Sequence, residues 1–196
     1  MMPLWVELAP KDEAWLKVLG RWGELLDEYE RLTASEHDVA YWHSEPTLTA
    51  LLATAAWQSG GAGLVEFETV RARHFGAESG AGRGDAWLKV GRIWYAIEAK
   101  LCFIAEEIKA GLETAAADLT RMRKEDHADQ ALAVCYCVPY LGTAQPKDFI
   151  RKLTTTTAQL LPDAILVAGY VPIGGVPSHP PYFYPGLITA ARTVTA

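Results

Sequence analysis

The stretch DAWLKVGRIWYAIEAK, at positions 85–100, constrains the fold of this chain more than any other feature of the sequence. Two mainly apolar runs flank the pair Gly91-Arg92, and a two-residue loop with glycine first is typical of a type II′ turn. Glycine adopts the positive φ that the first position of this turn requires. The pattern therefore predicts a β-hairpin in which Val90 faces Ile93 and the strands run outward from that pair.

Three charged residues lie at the open end of this predicted hairpin. In the register set by the turn, Asp85 faces Glu98, and Lys100 shares their side of the sheet because side chains alternate along a strand. Like charges placed opposite each other are unfavourable, and more so when they are buried. Two explanations are open. Lys100 bridges both acids as a structural ion pair, or a divalent cation such as Mg²⁺ lies between them.

The rest of the chain predicts an α/β protein with a mixed β-sheet and helices on its faces. Helical spacing of apolar residues and strand-like alternation divide the sequence into elements. The predicted helices cover 10–32, 46–57, 103–124 and 145–161, and the predicted strands cover 64–73, 85–90, 93–100, 131–141, 164–173 and 186–193. A glycine-rich loop over 74–84 and a proline-rich loop over 174–185 connect these elements.

The length and the composition predict one structural domain. The chain has 196 residues, and 50% of them are hydrophobic, so it can bury a sizeable core. We expect residues 1–43 to form an N-terminal helical segment that packs on an α/β domain over residues 44–196. The three cysteines are too few for a disulfide framework. Cys135 and Cys137 alternate within an apolar run, which predicts buried free thiols.

The formal net charge of -6 and the pI of about 5.4 argue against a protein that coats nucleic acid by its bulk charge. A net negative charge is still compatible with a local basic groove. Arg71, Arg73, His74 and Arg83 bracket the glycine-rich loop and are candidates for contacts with a nucleic-acid backbone. The sequence shows neither a signal-peptide pattern at its start nor an apolar run of ~18 residues, so we expect a cytoplasmic protein with no membrane association.

An aspartate, a hairpin and a Glu-x-Lys tripeptide on one strand face resemble the active-site signature of the PD-(D/E)XK nuclease superfamily. Asp85 and the tripeptide at 98–100 carry this likeness. The αβββαβ core of that superfamily's restriction-endonuclease-like fold is also similar to the elements predicted between residues 46 and 141. Gly84 stands where the signature has proline. A second E-x-K, at 107–109, lies in a predicted helix, where positions i and i+2 do not share a face.

The resemblance implies a role for each residue of the signature. Asp85 and Glu98 would bind Mg²⁺ or Mn²⁺, and the backbone carbonyl of Ala99 could add a further ligand. Lys100 would orient or deprotonate the attacking water, or stabilise charge on the phosphate. Many members add an acid from the preceding helix, and Glu45 is the candidate here, although an acid at that position also complements the helix dipole.

Glu66 on the first predicted strand is an additional candidate for the site, and a solvated strand face is its other interpretation. The resemblance thus implies a Mg²⁺-dependent nuclease that hydrolyses phosphodiester bonds of DNA or RNA. The alternative is a non-catalytic accessory or binding protein that keeps the nuclease-like fold. A homodimer is compatible with either function.

Overall fold

The computed structural model of this chain describes residues 4–8, 12–36, 38–71, 80–122, 129–142, 148–172, 178–179 and 182–195. The helices are α1 (Glu13–Leu32), α2 (Glu45–Gln58), α3 (Ile108–Leu119) and α4 (Phe149–Leu160). The strands are β1 (Leu4–Leu8), β2 (Ala62–Arg71), β3 (Gly80–Val90), β4 (Ile93–Cys102), β5 (Gln130–Cys137), β6 (Leu166–Tyr170), β7 (Ser178–His179), β8 (Tyr182–Phe183) and β9 (Leu187–Val194).

Seven strands form one mixed sheet in the order β1-β6-β9-β5-β4-β3-β2, and β7 and β8 form a separate pair. Strands β2, β3 and β4 are an antiparallel meander, and β5 lies parallel to β4 after the crossover through α3. The other neighbours in the large sheet are antiparallel. The predicted α/β class with a mixed sheet and flanking helices is therefore confirmed.

The hairpin has the predicted register. Val90 pairs with Ile93, and the ladder continues as far as Ala86 and Ile97. Gly91 has a φ of +61°, whereas the φ of Arg92 is not positive. This combination is what a type II′ turn requires.

The sheet separates two hydrophobic cores. Helices α1 and α2 cover one face, where Trp15, Trp22 and Leu48 are buried against alternate residues of the central strands. Helices α3 and α4 cover the other face, where Leu112 and Ile150 are buried. Because residues of β4 and β5 alternate between the two cores, these central strands are almost entirely apolar, as expected for strands covered on both faces.

Several predicted boundaries are wrong. The N-terminal segment is not purely helical, because residues 4–8 form β1, which pairs with β6 at an edge of the sheet. The second half of the glycine-rich stretch is not a loop, since residues 80–84 belong to β3 and pair with β2. The proline-rich loop contains the short strands β7 and β8. The pairing of β1 with β6 joins distant parts of the chain, which local sequence does not show, whereas β3 pairs with the preceding strand β2 and β7 pairs with the neighbouring β8.

The helix predicted over 103–124 is shorter than expected. Strand β4 extends to Cys102, a 3-10 turn covers Ala105–Glu107, and α3 ends at Leu119. Likewise, α4 occupies Phe149–Leu160 within the predicted 145–161. All three cysteines are buried free thiols, as predicted for the pair on β5. Among the described helices, none has the length and apolar character that crossing a membrane demands.

Candidate metal and catalytic site

Strands β3 and β4 separate at Asp85, and the side chain of this residue occupies the opening. The ladder between them ends at the pair of Ala86 and Ile97, so it does not include the predicted pair of Asp85 and Glu98. Instead, Oδ2 of Asp85 accepts a hydrogen bond from the backbone N–H of Ala99 at 2.7 Å. This bond directs the carboxylate across the gap towards β4, and the same carboxylate also shares a side-chain hydrogen bond with Glu45.

Glu45, the first residue of α2, lies beside Asp85. Ser44 precedes it in an extended conformation and serves as the N-cap residue of the helix. Burial and then the nearby charge of Asp85 together raise the pKa of Glu45 to about 7, while Lys100 acts in the opposite direction. Two carboxylates thus share one partly buried space, in which the proton on Glu45 relieves their repulsion.

A hydrogen-bonded cluster fixes the segment that leads into α2. The hydroxyl of Tyr29 on α1 donates to Oδ2 of Asp38 at 2.6 Å, and Nε2 of His43 lies 2.9 Å from the same oxygen. Thr33 donates to the backbone carbonyl of Asp38 at 2.9 Å. These contacts tie the connection between α1 and α2 to the end of α1, and so hold the start of α2 in place.

Lys100 lies on β4 two residues after Glu98, and its Nζ forms an ion pair with Oδ2 of Asp118 at 3.0 Å. Burial lowers the pKa of Lys100, but the hydrogen bond to Asp118 and the charges of Asp118, Glu45 and Asp85 outweigh burial and raise it overall. Lys100 is therefore a cation at neutral pH. The ion pair joins α3 to β4 next to the two carboxylates.

Glu98 is buried, with 1% of its surface exposed. It pairs with Ala133 in the parallel β4–β5 ladder, and strand alternation places it on the α3 face together with Lys100. Within the described part of the chain, no three or more His, Cys, Asp or Glu residues are arranged to hold a metal ion. The carboxylates of Asp85 and Glu45 interact at the gap, and each comes from a different element.

Neighbouring side chains fill the space beside the position that the signature gives to proline. A Cβ atom at Gly84 would overlap the ring of Phe67 and would lie 2.9 Å from Cε of Met122. Phe67 belongs to β2 and Met122 follows α3, so both reach position 84 from elsewhere in the fold. The ring of a proline would meet the same obstruction.

Two of the other sequence candidates, Glu66 and Arg83, pair with each other. Glu66 forms an ion pair with Arg83 at 3.1 Å, and their side chains are 60% and 70% exposed. Arg71 is the last residue of β2. Arg73 and His74 lie outside the described residues. The backbone N–H of Ala99 binds Asp85, whereas the expected ligand role of its carbonyl stays a prediction.

Sequence reasoning missed Asp118, which is the ion-pair partner of Lys100. Its position within α3 gives one signal, because Arg121 follows at i+3 and also pairs with it, at 3.2 Å. That helical pair alone describes an exposed helix face. The second contact, to a strand residue, appears only when α3 packs on the sheet.

The E-x-K at 107–109 has the geometry expected of a chance match. Glu107 ends a 3-10 turn and Lys109 lies in the first turn of α3, and both side chains are exposed.

Comparison of the chain with protein-family models, with curated proteins and with solved structures finds no match.

Proposed function

We propose that this protein is a Mg²⁺- or Mn²⁺-dependent phosphodiesterase that acts on DNA or RNA, and that its active site is the gap between β3 and β4. One observation carries the proposal: Glu45 and Asp85 share a partly buried space directly beside the Lys100 ammonium. Paired carboxylates with an adjacent cation suit the hydrolysis of an anionic ester, because they can hold a metal ion while the cation stabilises the phosphate.

The two carboxylates fit a small, hard cation. Mg²⁺ prefers oxygen ligands, keeps several waters and is often held by only one or two carboxylates together with substrate phosphates. Asp85 and Glu45 would be those ligands, with Glu98 and the carbonyl of Ala99 as the further donors that the signature suggests. When bound there, a divalent cation would neutralise phosphate charge and lower the pKa of a water molecule.

The protein residues have separate roles in this proposal. The N–H of Ala99 orients Asp85 through the 2.7 Å hydrogen bond. Asp118 holds the Lys100 ammonium and keeps it protonated. Lys100 therefore acts as a cation that stabilises charge on the phosphate, and its raised pKa argues against a role as the base that deprotonates water.

The element order supports a restriction-endonuclease-like core. Helix α2, the meander β2-β3-β4, the crossover helix α3 and the parallel strand β5 follow each other in the αβββαβ order of that fold. Asp85 lies on the second strand of the meander and the tripeptide at 98–100 on the third, as the PD-(D/E)XK signature requires. Strands β6, β9 and β1 extend the sheet beyond this core.

The burial of Glu98 favours a second candidate function. A catalytic metal ligand needs access to the bound ion, and a side chain that is 1% exposed restricts this access. A non-catalytic nucleic-acid-binding or accessory protein with the same fold would have no such need. In that case the charged residues around the gap would be a structural cluster.

Metal binding and cleavage separate the two candidates. Isothermal titration of the wild-type protein with Mg²⁺ and Mn²⁺ should show binding that Asp85→Ala abolishes and Glu113→Gln, an exposed acid on α3, retains. Incubation with single- and double-stranded DNA and RNA should then give cleavage that needs the metal and that Lys100→Ala abolishes. Absence of metal binding overturns the phosphodiesterase, and binding without cleavage supports the accessory protein.

A further inference from the structure

Two tryptophans of the hairpin lie on the same side of the sheet as Glu98 and Lys100. Trp87 on β3 and Trp94 on β4 occupy ladder positions that alternate onto this face. Their ring centroids are 5.2 Å apart with planes tilted by 46°. Both side chains are partly exposed.

Phe67 and Lys89 complete this surface. The ring of Phe67 lies 5.7 Å from that of Trp87, with planes 32° apart. Nζ of Lys89 lies 5.7 Å from the ring centroid of Trp94, within the range of a cation–π contact. We call Phe67, Trp87, Lys89 and Trp94 the aromatic surface.

The aromatic surface is less covered than the opposite face of the hairpin. Ala86 and Leu88, which flank Trp87 in sequence, face the opposite side and are fully buried in the core under α1 and α2. Leu64, which faces Trp87 from β2, is 52% exposed. Helix α3 packs mainly on β4 and β5, next to the aromatic surface. Nε1 of Trp87 is itself buried and has no hydrogen-bond partner among the described residues.

We infer that the aromatic surface binds unpaired nucleobases of the strand whose phosphate lies at the gap between β3 and β4; the inference rests on the proposed function. Trp87 follows Asp85 by two residues, or about 7 Å along the strand, and Trp94 precedes Glu98 by four, or about 13 Å. These lengths correspond to a few nucleotides at about 3.4 Å each in a stacked strand.

Aromatic side chains bind bases irrespective of sequence, because every base presents a π-face for stacking. Lys89 adds a positive charge for a neighbouring phosphate. A base inside a duplex has both faces covered by its neighbours, so this surface selects single strands, overhangs or frayed ends. The substrate class is therefore nucleic acid with unpaired bases, and the surface has no feature that reads sequence.

Binding without any divalent metal tests this inference independently of cleavage. Fluorescence anisotropy in EDTA, at one fixed salt concentration, compares three labelled ligands of equal length: a single strand, the corresponding abasic strand and the duplex. Each of the three ligands is made both as DNA and as RNA, so that binding of the two kinds of nucleic acid can be compared. We expect the single strand to bind at least about fivefold more tightly than the abasic strand, because the two differ only in their bases.

Two matched variants locate the contact. Trp94→Leu should remove the preference for bases, and Trp57→Leu should retain it, because Trp57 is 62% exposed on α2, the helix that covers the opposite face. Circular dichroism and thermal unfolding show whether each variant is folded. If Trp94→Leu unfolds, Lys89→Gln replaces it, and we expect weaker binding of all strands with the preference for bases retained.

Each outcome decides the inference. Equal binding of single and abasic strands, tighter binding of the duplex, no binding, or an unchanged preference in Trp94→Leu overturns it. The proposed function fails separately, through loss of metal binding or of metal-dependent cleavage. If the protein prefers unpaired bases in EDTA but never cleaves a strand, the inference about the aromatic surface holds and the proposed phosphodiesterase activity fails.

Discussion

The carboxylate of Asp85 accepts a hydrogen bond from the backbone N–H of Ala99, at 2.7 Å, at the point where β3 and β4 separate. A side chain thus replaces a backbone partner at the end of the ladder. The bond is charge-assisted and positions one oxygen of Asp85, and the same carboxylate shares a side-chain hydrogen bond with Glu45. The same residue consequently has a structural role and, in the proposed function, a metal-binding role, and the two roles respond differently to substitution.

Asp85→Asn and Asp85→Ala should separate these roles. Asparagine keeps an oxygen for the N–H of Ala99, so we expect a loss in unfolding free energy below about 1 kcal/mol. Alanine leaves the N–H without its partner and should cost about 1–3 kcal/mol. Both variants lose the negative charge and should fail to bind Mg²⁺. Chemical denaturation and calorimetry measure the two effects, and Mg²⁺ binding by Asp85→Asn at wild-type affinity would contradict the ligand role.

Glu45 should make stability depend on pH. Its pKa rises from 4.5 to about 7 in the folded state, first through burial and then through Asp85, so the folded protein binds this proton more tightly than the unfolded chain. Stability contributed by the proton is present at low pH and is lost as the pH rises through about 7. Because the side chain is only partly buried, we expect about 1 kcal/mol between pH 5 and pH 8.

Denaturation of the wild-type protein and of Glu45→Gln across this pH range measures the effect, with Glu113→Gln as an exposed control. Mg²⁺ should also bind more tightly at pH 8 than at pH 6, because the metal competes with the proton on Glu45. Parallel stability profiles for wild type and Glu45→Gln would show that folding does not raise the pKa of Glu45.

The ion pair of Lys100 and Asp118 should give a small coupling energy. The two side chains are 29% and 19% exposed, so solvent screens the pair only in part, and we expect about 0.5–1.5 kcal/mol. A double-mutant cycle of Lys100→Met, Asp118→Asn and the double variant measures this coupling. The cycle of Lys152 with Asp148, an exposed i,i+4 pair at the start of α4, serves as a control and should give a smaller coupling energy. Equal values for both cycles would contradict a partly buried pair.

Gly84→Ala should destabilise the protein through steric overlap. The added methyl group would collide with the ring of Phe67, and overpacking of this kind costs about 1–3 kcal/mol. Gly142→Ala is the matched control, because a Cβ there has no atom within 4 Å, and we expect a change within about 0.5 kcal/mol. Thermal unfolding measures both. Adding Phe67→Leu to Gly84→Ala should restore part of the loss, and full stability of Gly84→Ala alone would contradict the packing.

Sequence patterns predict some residues of the candidate site and miss others. Asp85 and the tripeptide at 98–100 are recognisable because a tight turn and strand alternation fix their faces over a short distance. Glu45 was predictable only as one acid at a helix start. Asp118, the partner of Lys100, was not predicted, because its role depends on the docking of α3 against β4.

Local sequence by itself determined the hairpin, its register and most of the helices, since turn geometry and apolar periodicity act between near neighbours. Tertiary structure alone decided the pairing of β1 with β6, the strand conformation of residues 80–84 and the burial of Glu98. It also decided that Glu45, Asp85 and Lys100 meet at one gap. These features arise from contacts between residues far apart in the chain, whose energies depend on packing and desolvation that no local pattern encodes.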